Sequence, residues 1–128
     1  MVSKYTMYRL SGTLDASGDL DITHEKTVRG KIDSVFIDYP AGNVEIKVVA
    51  KGIVDQDIID LSTANTDRVI YPRVQVQNSS GTNLNNSYDN TAVTALTDRF
   101  TIFGNLQLIC DSGTAAQNVK VTVVVEEY

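Results

Sequence analysis

The sequence predicts an all-β protein, an antiparallel two-sheet β-sandwich with about eight strands. Apolar and polar residues alternate along most of the chain, for example over Val44–Val48 and Val119–Glu126, and this pattern is typical of strands that bury one face. Polar segments rich in turn-forming residues separate these runs. Strands of this kind in one small domain favour a jelly roll. An immunoglobulin-like sandwich is the alternative, but tryptophan and a cysteine pair are missing.

The first strand and its connection follow from parity and turn chemistry. Tyr8, Leu10 and Leu14 share one face, because they are separated by even numbers of residues. The segment 15–18, Asp-Ala-Ser-Gly, predicts a hairpin connection to a second strand that contains Leu20. The first thirty residues are therefore expected to form either an N-terminal arm or the first hairpin.

Two later strands depart from simple alternation. Ile32 and Val35 have opposite parity within one apolar run, which predicts a β-bulge at Asp33–Ser34. The predicted strand Val69–Gln77 contains Pro72. Since proline donates no ladder hydrogen bond, this strand is expected at a sheet edge or with a bulge.

The length and net charge of the chain limit the classes of protein to which it can belong. Residues 1–128 are expected to form a single domain that folds without a metal or a disulfide. The net charge of −5 and the absence of a run of lysine or arginine argue against nucleic-acid binding. The N-terminus has no apolar signal segment, and no apolar run is long enough to span a bilayer. We therefore expect intracellular synthesis and no membrane association.

The sequence contains no recognisable catalytic or cofactor-binding set. Cys110 shares a strand face with Leu108, which favours a core position over a nucleophile. His24 has no accompanying nucleophile motif and is expected as a partly exposed residue at a strand end. The segment 15–21 resembles a calcium loop, but Lys26 stands where that loop requires a bidentate glutamate. We expect a protein that is not an enzyme and holds no metal or cofactor.

A long polar segment, Asn78–Asp98, interrupts the strand pattern. Loops of this length in compact domains are usually functional or disordered, and Leu84, Tyr88 and Val93 supply apolar anchors that pure linkers lack. We predict an ordered loop or extra hairpin that packs on a neighbouring subunit or host surface. Tyr71 and Arg73, from the strand that precedes it, are predicted to join this interface.

Seven segments of the chain carry a resemblance to a known family. They are Val35–Tyr39 (VFIDY), Val44–Val48 (VEIKV), Leu61–Asp67 (LSTANTD), Tyr71–Val76 (YPRVQV), the Asn/Gly loop, Phe103–Leu108 (FGNLQL) and the valine-rich last strand. Over Lys31–Tyr128, about three-quarters of its length, the chain resembles the small β-rich structural proteins of tailed bacteriophages. This resemblance implies a capsid-associated head decoration or cement protein, with the major capsid protein as partner and a homotrimer as the usual arrangement.

The expected function is therefore that of a non-enzymatic virion protein that binds the outer surface of an assembled capsid and stabilises it. A carbohydrate- or receptor-binding module of a phage fibre or tail is the alternative, although such sites usually stack sugars on tryptophan, which is absent. A small trimeric jelly-roll enzyme of nucleotide metabolism is a third hypothesis. It lacks the ordered Asp, Ser, Arg and Gly motifs that such an enzyme needs.

Overall fold

A computed structural model of the protein describes residues 4–75, 77, 79–81, 85–88, 92–95 and 97–127, and for residues 75, 85–88 and 92–95 it describes the backbone alone. The described residues form strands and turns, which confirms the all-β prediction, and they include no helix capable of crossing a membrane. The strands are β1 (Lys4–Thr13), β2 (Leu20–Asp38), β3 (Val44–Lys51), β4 (Gln56–Ala64), β5 (Arg68–Ile70), β6 (Arg73–Gln75), β7 (Asn85–Tyr88), β8 (Ala92–Ala95), β9 (Thr97–Arg99), β10 (Thr101–Asp111) and β11 (Asn118–Glu127).

Seven of these strands form one antiparallel sheet that folds into two layers. Its order is β1-β11-β2-β10-β3-β4, and β5 also pairs with β2. The long strand β2 belongs to both layers, because its first part pairs with β10 and its last part pairs with β11. The first layer is β5-β2-β11-β1 and the second layer is β2-β10-β3-β4. The arrangement is sandwich-like, as predicted, and the jelly-roll assignment stays a prediction.

The strand β2 changes layers at Gly30. Its neighbour Lys31 lies opposite Thr101 of β10 and also opposite Glu126 of β11. A Cβ atom at Gly30 would collide with the carbonyl oxygen of Glu126, so the two backbones approach each other too closely for a side chain. Sandwich corners are commonly made by strands that pass from one sheet to the other at such bends.

The predicted β-bulge at Asp33–Ser34 is confirmed. Ser34 pairs with Val124 and Ile32 pairs with Val125, which leaves Asp33 as the extra residue. The bulge resets the parity of β2, so that Ile32 and Val35 are both fully buried although an even spacing does not separate them.

The core lies between the layers and is almost entirely apolar. Cys110 is 2% exposed, which confirms its predicted core position. Burying a core side chain of the size of valine or leucine stabilises the fold by roughly 1.5–3 kcal/mol relative to leaving it exposed. The largest fully buried side chains are Leu10, Leu14, Val28, Ile32, Val35, Val44, Ile46, Val48, Ile102, Leu106, Leu108 and Val119.

The connection at residues 14–19 is a turn, but it does not join paired strands. Asp15 and Gly18 close the turn, where the Gly18 amide donates to the Asp15 carbonyl at 3.0 Å. The strands on either side pair with β11 and β10 instead of with each other. Residues 4–30 are thus built into both layers, and the expected hairpin pairing is replaced by a crossing between layers.

The predicted strand Val69–Gln77 is split at Tyr71 and Pro72. The part before the proline, β5, pairs at the edge of the first layer, whereas the part after it, β6, pairs with β9 in a separate two-stranded sheet. β7 and β8 form a further antiparallel pair inside the polar segment. Of the two forms expected for that segment, the described residues adopt the extra hairpin. We call residues 73–99 the arm.

Candidate binding surfaces

The end of the sandwich where β2 changes layers brings several exposed groups together. We call it the switch end. β3 ends at Lys51, opposite Asn105 of β10, so the turn 52–55 that follows lies beside Phe103 and Gly104 at the start of β10. The arm leaves the sandwich at this end, because Arg99 of β9 directly precedes Phe100 and β10.

Three apolar side chains at the switch end project into solvent. Ile53 is fully exposed, Val54 is 73% exposed and Phe103 is 69% exposed. Ile53 and Val54 occupy the turn between β3 and β4, and Phe103 lies on the outer face of the second layer. We call these three residues the turn surface. Scattered exposed apolar residues are common, but a group of large ones on one turn and its neighbour marks an interaction site.

The backbone around the turn surface is tightly fixed. The ammonium of Lys51 lies 2.9 Å from the carboxylate of Asp55 and ties the two ends of the turn together. This hydrogen bond holds the pKa of Asp55 below its usual value. On the side of β10, a Cβ atom at Gly104 would collide with the carbonyl oxygen of Lys51, so the two strands are in close contact there.

A groove of about 580 Å³ runs between the turn and the outer face of the second layer. Its lining combines apolar side chains, Ala50 and the turn surface itself, with the polar residues Thr27 and Asn105. The guanidinium of Arg29, directly opposite Phe103 on β2, lies 6.0 Å from the centre of the Phe103 ring. The groove therefore has an apolar wall, with Lys51 of the Lys51–Asp55 ion pair in its lining and the Arg29 guanidinium beside it.

A second exposed apolar group covers the outer face of the first layer. Phe36 and Val69 lie opposite each other on β2 and β5, and Met7 lies opposite Val124 on β1 and β11. Met7 is 62% exposed, Phe36 and Val69 are exposed to a smaller degree, and Val124 is half-buried. We call these four residues the sheet-face surface. The two pairs are offset from each other between β2 and β11, because Phe36 lies opposite Thr122 and Val124 lies opposite Ser34.

An ionic cluster fixes the base of the arm. Arg99 donates a hydrogen bond to Glu126 at 3.1 Å and lies 4.0 Å from Asp33, while the Tyr5 hydroxyl donates to Glu126 at 2.8 Å. The hydrogen bonds from Arg99 and then from Tyr5 hold the pKa of Glu126 below its usual value. These contacts join β9 to β2, β11 and β1, and so attach the arm to the first layer.

The predicted interface residues fall on the arm and its base. Tyr71 is exposed in the break between β5 and β6, and Arg73 donates a hydrogen bond to the carbonyl of Pro72 at 2.9 Å. Tyr88 and Val93 lie on β7 and β8, and their side chains are outside the described part of the structure, as is Leu84 altogether. The predicted interface therefore stays a prediction.

The turn surface was not predicted from the sequence. Ile53 and Val54 lie in the turn between β3, which ends at Lys51, and β4, which begins at Gln56. One signal was present. Ile53 and Val54 directly follow the strand-breaking Gly52, and two large apolar residues are unusual at the tip of a turn.

The remaining candidate residues have structural contacts. His24 lies within β2, not at a strand end, and packs edge-to-face on Tyr8 with ring centres 5.4 Å apart. The Asp15 carboxylate accepts hydrogen bonds from the amides of Ser17 and Asp19 and so closes its own turn. Burial raises the pKa of the Cys110 thiol to about 12. Among the described residues, no three His, Cys, Asp or Glu side chains are grouped so that they could hold a metal ion.

Comparisons with protein-family models, with curated proteins and with solved structures find no match to this chain.

Proposed function

We propose that this chain is a non-enzymatic virion structural protein that binds the outer surface of an assembled capsid and stabilises it. Its partner in this proposal is the major capsid protein. The observation that supports this function best is the presence of two separate exposed apolar surfaces, one on each layer. A protein that decorates a lattice must contact the lattice. Contacts between its own copies raise the overall affinity of the joined copies for the lattice.

The two surfaces suit these two tasks. The sheet-face surface is broad and lies across four strands, as expected of a contact between subunits, and we assign it to a homotrimer. The turn surface projects from the switch end, and we assign it to the contact with the capsid. Because the decorating protein binds the assembled lattice and not the free capsid subunits, its binding shifts the assembly equilibrium towards the lattice. The sandwich supplies the rigid body between the two contacts.

Co-sedimentation with empty shells tests the proposal. The shells are assembled from the major capsid protein of the same virus, mixed with the purified chain and pelleted. We expect saturable binding and a higher melting temperature of the decorated shells. A chain that stays in the supernatant at micromolar concentration, or that leaves the melting temperature unchanged, refutes the proposal.

Light scattering tests the proposed trimer separately. Phe36→Lys places a charge in the centre of the sheet-face surface, and Thr23→Lys makes a comparable change on an exposed residue of the second layer. We expect the mass of a trimer for the wild type and for Thr23→Lys, and a smaller mass for Phe36→Lys. A wild-type mass equal to that of a monomer contradicts the trimer assignment.

A further inference from the structure

We infer that the turn surface docks onto an acidic patch of the capsid protein, which encloses Ile53 in an apolar pocket and offers a carboxylate to Arg29. This inference rests on the proposed function and specifies its contact. It identifies the partner surface by chemistry: apolar at its centre and negatively charged at its rim.

The first argument is the exposure of the anchors. Nothing in the described part of the chain covers Ile53, and Val54 and Phe103 keep most of their surface in solvent. A partner pocket that enclosed these side chains would remove their apolar surface from water, at roughly 25 cal/mol for each Å². Binding hot spots are typically a few such anchors at the centre of an interface.

The second argument is rigidity. The ion pair between Lys51 and Asp55 links the two ends of the turn, and the close backbone contact at Gly104 fixes the start of the turn against β10. A preformed anchor loses little conformational entropy on binding, so more of its burial appears as affinity. The adjoining groove of about 580 Å³ gives the partner a place to insert a side chain of its own.

The third argument is charge. Lys51 and Asp55 neutralise each other, whereas Arg29 forms no ion pair with a carboxylate of any described residue. Arg29 thus places a positive charge without an ion-pair partner among the described residues beside the turn surface, in a chain whose net charge is −5. An acidic rim on the partner would complement this charge, and would also select the turn surface over the acidic remainder of the chain.

The same charge argues against two turn surfaces packing on each other. Such a contact would bring the two Arg29 side chains near each other, and like charges across an interface are destabilising. We therefore assign the turn surface to the capsid.

The test compares variants in the shell co-sedimentation assay. Ile53→Ser combined with Val54→Ser removes the turn anchors, and Phe103→Ser removes the anchor on the neighbouring strand. Thr23→Ser is the control, at an exposed position of the second layer that belongs to neither apolar surface. All four positions are exposed, so the variants are expected to fold, which circular dichroism checks. We expect the double variant and Phe103→Ser to bind at least roughly tenfold more weakly than the wild type and Thr23→Ser.

The charge is tested by Arg29→Gln. We expect weaker binding and a smaller loss of affinity with added salt than the wild type shows, because one charge pair is gone. An unchanged salt dependence overturns the acidic-rim assignment.

The outcomes separate the two proposals. Wild-type sedimentation together with undiminished binding of the double variant and Phe103→Ser overturns the docking inference and leaves the proposed function standing. A wild type that does not sediment overturns the proposed function and the inference with it. Loss of the oligomer in the double variant, measured by light scattering, assigns the turn surface to a second copy and also overturns the inference.

Discussion

Truncation of the two isoleucines on either side of the start of β4 should have different effects. Truncation of Ile59 should lower the stability of the fold, whereas truncation of Ile53 should weaken binding to the shell. Ile59 is 7% exposed and packs in the core, whereas Ile53 is fully exposed on the turn surface. Ile59→Ala removes buried methyl groups and leaves a cavity, which costs about 2–5 kcal/mol. Ile53→Ala removes no buried surface of the free protein, so the expected change is less than about 0.5 kcal/mol.

Urea denaturation followed by circular dichroism measures both changes. With a slope of about 2 kcal/mol per M for a domain of this size, Ile59→Ala should lower the midpoint by about 1–2.5 M, and Ile53→Ala by less than about 0.3 M. In the shell-binding assay the order should reverse, with Ile53→Ala the weaker binder. A loss of about 2 kcal/mol or more for Ile53→Ala would show that the turn packs against its own chain, and would refute its role as a binding surface.

Three further predictions concern the core, the ionic cluster and the arm. Cys110→Ser should cost roughly 1–3 kcal/mol of unfolding free energy because the buried hydroxyl lacks a partner, while shell binding is kept; loss of binding at an unchanged melting temperature would instead reveal a functional thiol. The lowered pKa of Glu126 means that its bond to Arg99 stabilises the fold above the usual glutamate pKa of 4.5, and that this stabilisation is lost as the pH falls through the lowered value. Wild type should therefore lose more unfolding free energy than Glu126→Gln between about pH 6 and pH 3, and equal losses would contradict the cluster. Replacing residues 83–90 by a short Gly-Ser linker should keep the β-sheet signal and weaken attachment or oligomerisation; collapse of that signal would make the segment part of the fold, and unchanged attachment with an unchanged mass would make it a passive tip.

The sequence was most informative where one strand face is buried. Alternation over β3 and β11 predicted their inward residues correctly, because a one-residue error would expose every apolar side chain of the strand. The bulge was also predictable, since Ile32 and Val35 can both be buried only if one residue is inserted between them. The core position of Cys110 followed from the same parity argument.

Long-range pairing was less predictable. The segment 15–18 has the residues of a hairpin turn and forms a turn, but local chemistry does not specify which strands the flanking segments join. The single long strand β2 belongs to both layers because Gly30 permits a close backbone contact with β11. That contact is made with Glu126, which is distant from Gly30 in the sequence. Pro72 was expected to place its strand at a sheet edge or in a bulge. The part before it, β5, does lie at an edge of the first layer, but the separation of β6 into another sheet was not predicted.

The binding surfaces were predicted only in part. The sequence directed attention to the long polar segment, whose described residues form an extra hairpin. The turn surface could not be predicted, because Ile53, Val54 and Phe103 are residue types that usually lie in the core. Only the structure distinguishes an exposed isoleucine from a buried one. Phe103 joins the other two through the pairing of β3 with β10, which sequence distance conceals.

Cryo-electron microscopy of shells saturated with the protein tests the central claim most directly. The account predicts added density on the outer surface of the capsid, with the turn 52–55 and Phe103 against the shell and the first-layer faces of neighbouring copies in contact. Shells without added density would contradict the proposed function. Added density in which the turn surface points into solvent would contradict the docking assignment.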